Sequence, residues 1–265
     1  MQISSRKNPL FKQLKALASR SGRAKAGLFL LEGVRLIEEA IAADLPLEHV
    51  VYSSHLESNQ RGLTCLATLE ARGLSPVKMD DKLLCELAST ERPQGLLVTA
   101  RLPVHLAHEA AFWSQGDFWL LIDGVQDPGN LGTILRTAEA LGVDRVVALK
   151  GTVDPYNDKV IRGAMGAFFR LPLVYDQPDD FVLAQLRQNR IQIVVSALQA
   201  SVPYQQVNYD QRLALVVGYE GAGVSPFWLQ TADLSVHIPI VGQAESLNVA
   251  VATGILLAKI AENRS

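Results

Sequence analysis

The stretch FWLLIDGVQDPGNLGTILRTAEAL, residues 118–141, decides the architecture. Its first five residues are apolar without a break, as in a strand buried on both faces. Residues 123–129 read as a loop of aspartate, glycine and proline. A helix is expected over about 131–141, burying Ile134, Ala138 and Leu141 and presenting Thr133, Arg136 and Thr137. Strand, loop and helix in this order open a parallel α/β unit. The pattern then repeats. Strands are expected at 145–149, 173–175, 191–196, 213–217 and 234–238, and helices near 159–167, at 178–188 and at 247–262, with one helical turn at 226–230. Such a series predicts a parallel sheet covered on both faces.

Upstream, the first hundred residues alternate helix and strand more loosely. Pro9 suits the first turn of a helix, with Leu10, Leu14 and Leu17 on one face and the basic residues on the other. Strands are expected at 28–31, 49–52, 76–79 and 95–98. Helices are expected at 34–42, 62–71 and 82–87, the last capped by Asp80 or Asp81. This is a small α/β sandwich. A looser stretch with Pro103, His105, His108 and Gly116 marks the boundary. The expected organisation is residues 1–103, a linker over 104–117, and residues 118–265.

With 48% hydrophobic and 20% charged residues over 265 positions, the chain is neither disordered, collagen-like nor of low complexity. The net charge of −2 makes no case for nucleic acid on its own. Its distribution does: the first 27 residues hold seven bases and no acid, which leaves 18 bases against 27 acids elsewhere. Lys12, Lys15, Arg20, Arg23 and Lys25 are spaced to meet phosphates, the plainer reading being a solvated helix face. Neutralising about four phosphates would make log affinity fall against log salt with a slope of roughly −3 to −4. Aromatic content of 6% gives no stacking platform.

Two cysteines and five scattered histidines make neither a disulfide framework nor a metal site, so no metal is expected. No apolar segment follows the N-terminal charges as a secretory signal would require, and the apolar run 247–261 is too short for a bilayer. The expectation is a cytoplasmic protein without membrane contact. The acid-free start resembles a mitochondrial transit peptide in composition only, because its helix reads as part of the first domain.

Three junctions after strands carry unusual residues, and in a parallel sheet ligands bind beyond the carboxyl ends of the strands. The first, Asp123-Gly-Val-Gln-Asp-Pro-Gly-Asn-Leu-Gly132, leads to Arg136, read here as near the start of its helix and so against the macrodipole. A snorkelling surface arginine, and a plain N-cap at Asn130, are the simpler alternatives. The second, Gly218-Tyr-Glu220-Gly221-Ala-Gly223, lacks the G-x-G-x-x-G spacing, and Glu220 would repel a pyrophosphate; a tight turn with an exposed acid is the alternative. Gly124, Gly129 and Gly132 have the wrong spacing for a dinucleotide loop too. The third runs from Ile238 through Glu245 and Ser246 to Asn248. Ser246 suits a helix N-cap. Asn248, on a helix apolar on nearly every side, is expected to be buried and in need of partners.

Together these segments resemble the SpoU (TrmH-type) branch of the SPOUT RNA methyltransferases. Asp127-Pro-Gly-Asn130-Leu-Gly132…Arg136-Thr-Ala is similar to the first motif, Gly218-x-Glu220-Gly221-x-Gly223 to the second, and Ile238-Pro239…Ser246-Leu247-Asn248-Val-x-Val-Ala252 to the third. Arg162-x-x-Met165-Gly166-Ala167 resembles a recurring Arg-Ala-Ser-x-Gly-Ala, with Gly163-Ala164 in place of Ala-Ser and hence a hydroxyl missing. Phe29-Leu-Leu-Glu32-Gly33 and Gln94-Gly95 resemble the family's L30e-like substrate-binding domain.

The resemblance implies an L30e-like domain followed by a methyltransferase domain with a C-terminal trefoil knot. It implies methyl transfer from S-adenosylmethionine to a ribose 2′-hydroxyl of RNA, with structured ribosomal RNA the preferred target and transfer RNA open, in a homodimer. By the same resemblance Asn130, Arg136, Glu220, Ser246 and Asn248 are catalytic, and Gly218, Glu220, Gly221, Gly223, Ile238, Pro239, Ile240 and Leu247 bind the cofactor. A non-catalytic RNA-binding protein of the same fold is the competing reading.

Overall fold

The computed structural model describes residues 2–103, 109–198, 201–219, 221 and 223–264. It divides into two compact units, Met1–Pro103 with Tyr156–Phe169, and Val104–Pro155 with Arg170–Ser265. The first begins with β1 (Gln2–Ile3), α1 (Pro9–Ala16), α2 (Arg20–Ala26), β2 (Leu28–Glu32), α3 (Val34–Ala42), β3 (Leu47–Tyr52), α4 (Gln60–Ala71), β4 (Val77–Met79), α5 (Asp81–Leu87) and β5 (Leu96–Arg101). Its mixed sheet runs β1-β4-β3-β5-β2, with β5 antiparallel to both neighbours. Asn8 caps α1 by accepting from Leu10 N at 2.9 Å, with Pro9 at the first helical position. Phe11, Leu14 and Leu17 then face the core beside Leu28, Val51 and Leu97. Of the two candidate aspartates, Asp80 is the cap of α5 and Asp81 its first residue.

The basic N terminus is two helices rather than one. Ser19 caps α2 by accepting from Gly22 N, and Gly27 closes it with φ +65°, where glycine is at least cost. Arg23 thereby turns inward. It is 7% exposed, and its Nη1 donates to Leu17 O at 2.8 Å and Ala18 O at 3.3 Å. The expectation that Arg23 meets phosphates is corrected: its charge is spent on the carbonyls that end α1.

The chain continues through α6 (Ala110–Ser114), β6 (Phe118–Asp123), α7 (Pro128–Ala140), β7 (Arg145–Leu149), α8 (Asp158–Ala164), α9 (Ala167–Arg170), β8 (Leu173–Gln177), α10 (Asp179–Gln188), β9 (Gln192–Ser196), β10 (Val202–Pro203), β11 (Leu213–Gly218), α11 (Pro226–Thr231), β12 (Leu234–His237) and α12 (Val249–Glu262). The second unit's sheet has the order β10-β12-β9-β11-β6-β7-β8. All its described pairings are parallel, as the unbroken apolar strands required. Trp119, Leu121, Val216 and Trp228 lie fully buried in its core. Burying an aliphatic side chain such as Leu121 or Val216 contributes roughly 1.5–3 kcal/mol. The helix expected at 159–167 is broken in two, because Met165 takes φ +53° and the chain turns there.

The topology selects one edge. From β6 the chain moves away to β7, and from β11 it moves the other way to β12, so the β6–β11 junction is a switch point. The register places Gly218 opposite Asp123 at the carboxyl ends of both strands. Among the described residues, no helix is long and apolar enough to cross a membrane.

Candidate active site

Helix α7 starts three residues earlier than its hydrophobic pattern suggested. Asp127 is its N-cap, accepting from Asn130 N at 2.8 Å, with Pro128 at the first helical position. Asn130 is therefore inside the first turn and not the cap. Arg136 sits in the third turn, so the macrodipole does not oppose it. It is exposed, beside exposed Thr133 and half-buried Thr137, opposite the buried Ile134 and Ala138.

Helix α12 starts at Val249, and Asn248 is its cap: Oδ1 accepts from Ala250 N at 3.0 Å and Val251 N at 3.3 Å. Two expectations are corrected. Ser246 is not the cap, and Asn248 is exposed rather than buried, since it precedes the apolar helix instead of lying within it. With Oδ1 facing its own helix, Asn248 Nδ2 donates to Asn130 Oδ1 at 3.0 Å. The first and third junctions thus meet through two amides.

The second junction is a tight turn. Tyr219 N donates to Gly223 O at 3.0 Å and Gly223 N to Tyr219 O at 2.8 Å, with Gly221 at φ +97° and Gly223 at φ +73°. A Cβ on Gly218 would stand 2.2 Å from Gly223 C and O. The close approach that Gly218 allows is therefore to its own turn. Glu220 lies outside the described residues. Ile238 and Ile240 are half-buried, Pro239 is exposed, and every residue of 241–248 is exposed, including Ser246 and Leu247.

Side chains that the sequence did not single out hold these loops. Asp123 Oδ2 accepts from Ser225 N at 2.7 Å across the switch point, joining the first junction to the second. Thr152 Oγ1 accepts from Gly124 N at 3.1 Å and donates to Ile122 O at 2.8 Å. The available signal was Asp123 itself, an acid ending an apolar strand at its carboxyl end. Nearby, burial pushes the Asp179 carboxyl above the usual aspartate range, against its 3.0 Å hydrogen bond from Trp228 Nε1, and Asp123 and Asp180 push it further up. Cys65, raised to about 11 by burial, is no nucleophile at neutral pH.

In the first unit, Lys12, Lys15, Arg20 and Lys25 are exposed. Lys15 shares Glu86 with Arg6, at 3.6 Å.

Residues 117–258 match the model of the SpoU rRNA Methylase family. The chain belongs to that family. Residues 8–98 of this SpoU family member match the MRM3-like substrate binding domain. Over 256 residues, 97% of each chain, it is 37% identical to the 23S rRNA (guanosine(2553)-2'-O)-methyltransferase RlmP of Bacillus subtilis. A crystal structure of an RNA 2'-O ribose methyltransferase superposes with TM-score 0.83 at 33% identity, over 100% of this chain and 99% of that one. The SpoU methyltransferase AviRb of Streptomyces viridochromogenes, in complex with the cofactor AdoMet, superposes with TM-score 0.84 at 28% identity, over 97% and 99%.

Proposed function

We propose that this SpoU family member transfers a methyl group from S-adenosylmethionine to a ribose 2′-hydroxyl of ribosomal RNA. The observation that carries this reading is the amide pair Asn130–Asn248, which ties two family motifs together beside a sheet switch point, on the helix that also bears an exposed Arg136. The donor set suits the cofactor. The glycine turn and the exposed run 241–248 offer main-chain groups, and half-buried Ile238 and Ile240 offer apolar contact for adenine and a methylene chain. Gly218, Glu220, Gly221, Gly223, Ile238, Pro239, Ile240 and Leu247 are assigned to it.

S-adenosylmethionine, when bound, supplies the electrophilic methyl. The chain has to prepare the nucleophile. A ribose hydroxyl is a weak acid, so the site must stabilise the oxygen as its proton leaves to solvent water and the new O–C bond forms. Arg136 does so electrostatically, as a permanent cation that orients the 2′-oxygen rather than deprotonating it. Asn130 and Asn248 fix the ribose and the arginine, together with Ser246 and Glu220. Removing one such contact typically costs ~2.7–4 kcal/mol of transition-state stabilisation.

The functional division is an RNA-binding part over 1–103, a linker over 104–117 and a methyltransferase part over 118–265 that carries the family's trefoil knot. The exposed bases of α1 and α2 meet phosphate. Val251 and Leu247, 53% and 37% exposed on and before α12, suit a homodimer contact, which sedimentation at varied concentration tests.

Calorimetry with S-adenosylmethionine and mapping of 2′-O-methyl sites in RNA from cells with and without the chain test the reading. Cofactor binding and one rRNA site lost with the chain support it. Absence of both assigns the fold to RNA binding without turnover.

A further inference from the structure

Glu32 and Arg162 stand out in the sequence, and the catalytic reading leaves both unused. Within the first unit they meet. Glu32 is 8% exposed. Its carboxylate accepts from Ser89 N and Ser89 Oγ, each at 2.7 Å, from Thr90 N at 3.3 Å and from Thr90 Oγ1. Arg162 Nη1 lies 3.7 Å away, donates to Ser89 Oγ, and reaches Asp158 at 3.1 Å. Phe29, three residues before Glu32, packs edge-on against Tyr156 at 5.2 Å and Phe168 at 6.3 Å. A buried acid needs donors of this number, and Arg162 and the two rings on Phe29 tie the segment Tyr156–Phe169 to it within the first unit.

The residues that flank that segment in the chain belong to the second unit, and there they hold residues 122–126 and α7. Just before it, Thr152 Oγ1 bridges Ile122 O and Gly124 N, Val153 N donates to Val125 O at 2.9 Å, and Gln126 Nε2 donates to Gly151 O. Just after it, Arg170 Nε donates to Glu139 Oε1 on α7 at 2.7 Å. The chain that brackets residues 123–130 is continuous with the chain seated on Glu32.

We propose that residues 150–170 form a strap through which the first unit's hold on Arg162 fixes the loop 124–127 and α7. Glu32 and Arg162 are then positioning residues for methyl transfer, acting through Thr152 and Arg170. Coupling of this kind needs a continuous physical network with two anchored ends, and covalent continuity supplies it here. The catalytic part of the claim rests on the function proposed above.

The test uses the full chain with Arg162→Gln, Arg162→Lys, Thr152→Val and the Arg162→Gln/Thr152→Val double variant. Hydrogen exchange of the 123–130 amides is followed without substrate. Methyl transfer is measured with S-adenosylmethionine and unmethylated 23S rRNA. Arg162→Gln is expected to speed exchange of Gly124 and Val125 at least threefold. It is also expected to lower kcat about tenfold, with KM for S-adenosylmethionine within twofold. Arg162→Lys restores both. The double variant falls no more than twofold below the worse single one. Unchanged exchange in 123–130, an increase spread equally over both sheets, or multiplicative losses in the double variant overturn the strap. An inactive parent chain would defeat the proposed reaction instead, and the exchange comparison would still decide the strap.

Discussion

Asn248 Nδ2 donates a 3.0 Å hydrogen bond to Asn130 Oδ1 across 118 residues of sequence. One side chain thereby serves two purposes: its oxygen caps α12 and its nitrogen ties that cap to the first turn of α7. Substitution separates them.

Asn248→Ala loses both functions. It should cost ~1 kcal/mol from the cap alone, a fall of about 2–4 °C in Tm for a chain of this size. Asn248→Ser keeps a capping oxygen but is too short to reach Asn130. It should melt close to the parent while methyl transfer falls at least tenfold. Thermal melts and single-turnover rates check this.

The Arg136 side chain is exposed and makes no hydrogen bond or ion pair among the described residues, so its removal should leave stability within ~0.5 kcal/mol. Arg136→Ala should instead reduce kcat by about 10²–10³, with S-adenosylmethionine affinity changed less than threefold. Stopped-time assays and calorimetry on the same preparation measure the two.

The basic face should act by charge alone. Each of Lys12→Ala, Arg20→Ala and Lys25→Ala should reduce the salt slope of RNA binding by ~0.7–0.9. Arg23→Ala should leave that slope unchanged and lower Tm, because its partners are the carbonyls of Leu17 and Ala18. Filter binding across a salt series, beside melts, distinguishes them.

Burial holds the Asp179 carboxyl above the ordinary aspartate range in the fold. Its contribution to stability is therefore full below the ordinary aspartate pKa of about 3.9 and is lost as pH rises through its raised value. Asp179→Asn keeps an acceptor for Trp228 Nε1 without the charge. It should melt above the parent at pH 7, and the difference should vanish as pH approaches 4.

Much of this was legible in the sequence. Uninterrupted apolar runs such as 118–122 and 213–217 announced buried parallel strands, and β6 and β11 run one residue further to Asp123 and Gly218. Caps were harder. Apolar periodicity does not mark the polar residues that open a helix, so Asp127 and Asn248 were overlooked in favour of Asn130 and Ser246. Arg23 shows why charge spacing alone misleads: Ser19 starts a second helix that rotates it inward. The grip of Thr152 on Gly124 and of Glu32 on Ser89 depends on tertiary register, which no local pattern carries.

The central claim is that the chain methylates a ribose oxygen. Purified protein should be incubated with unmethylated 23S rRNA and S-adenosylmethionine carrying an isotopically labelled methyl, and the digested nucleosides analysed by mass spectrometry. The account predicts label in one 2′-O-methyl nucleoside, lost with Arg136→Ala. Label on a base, or transfer undiminished in that variant, would contradict it.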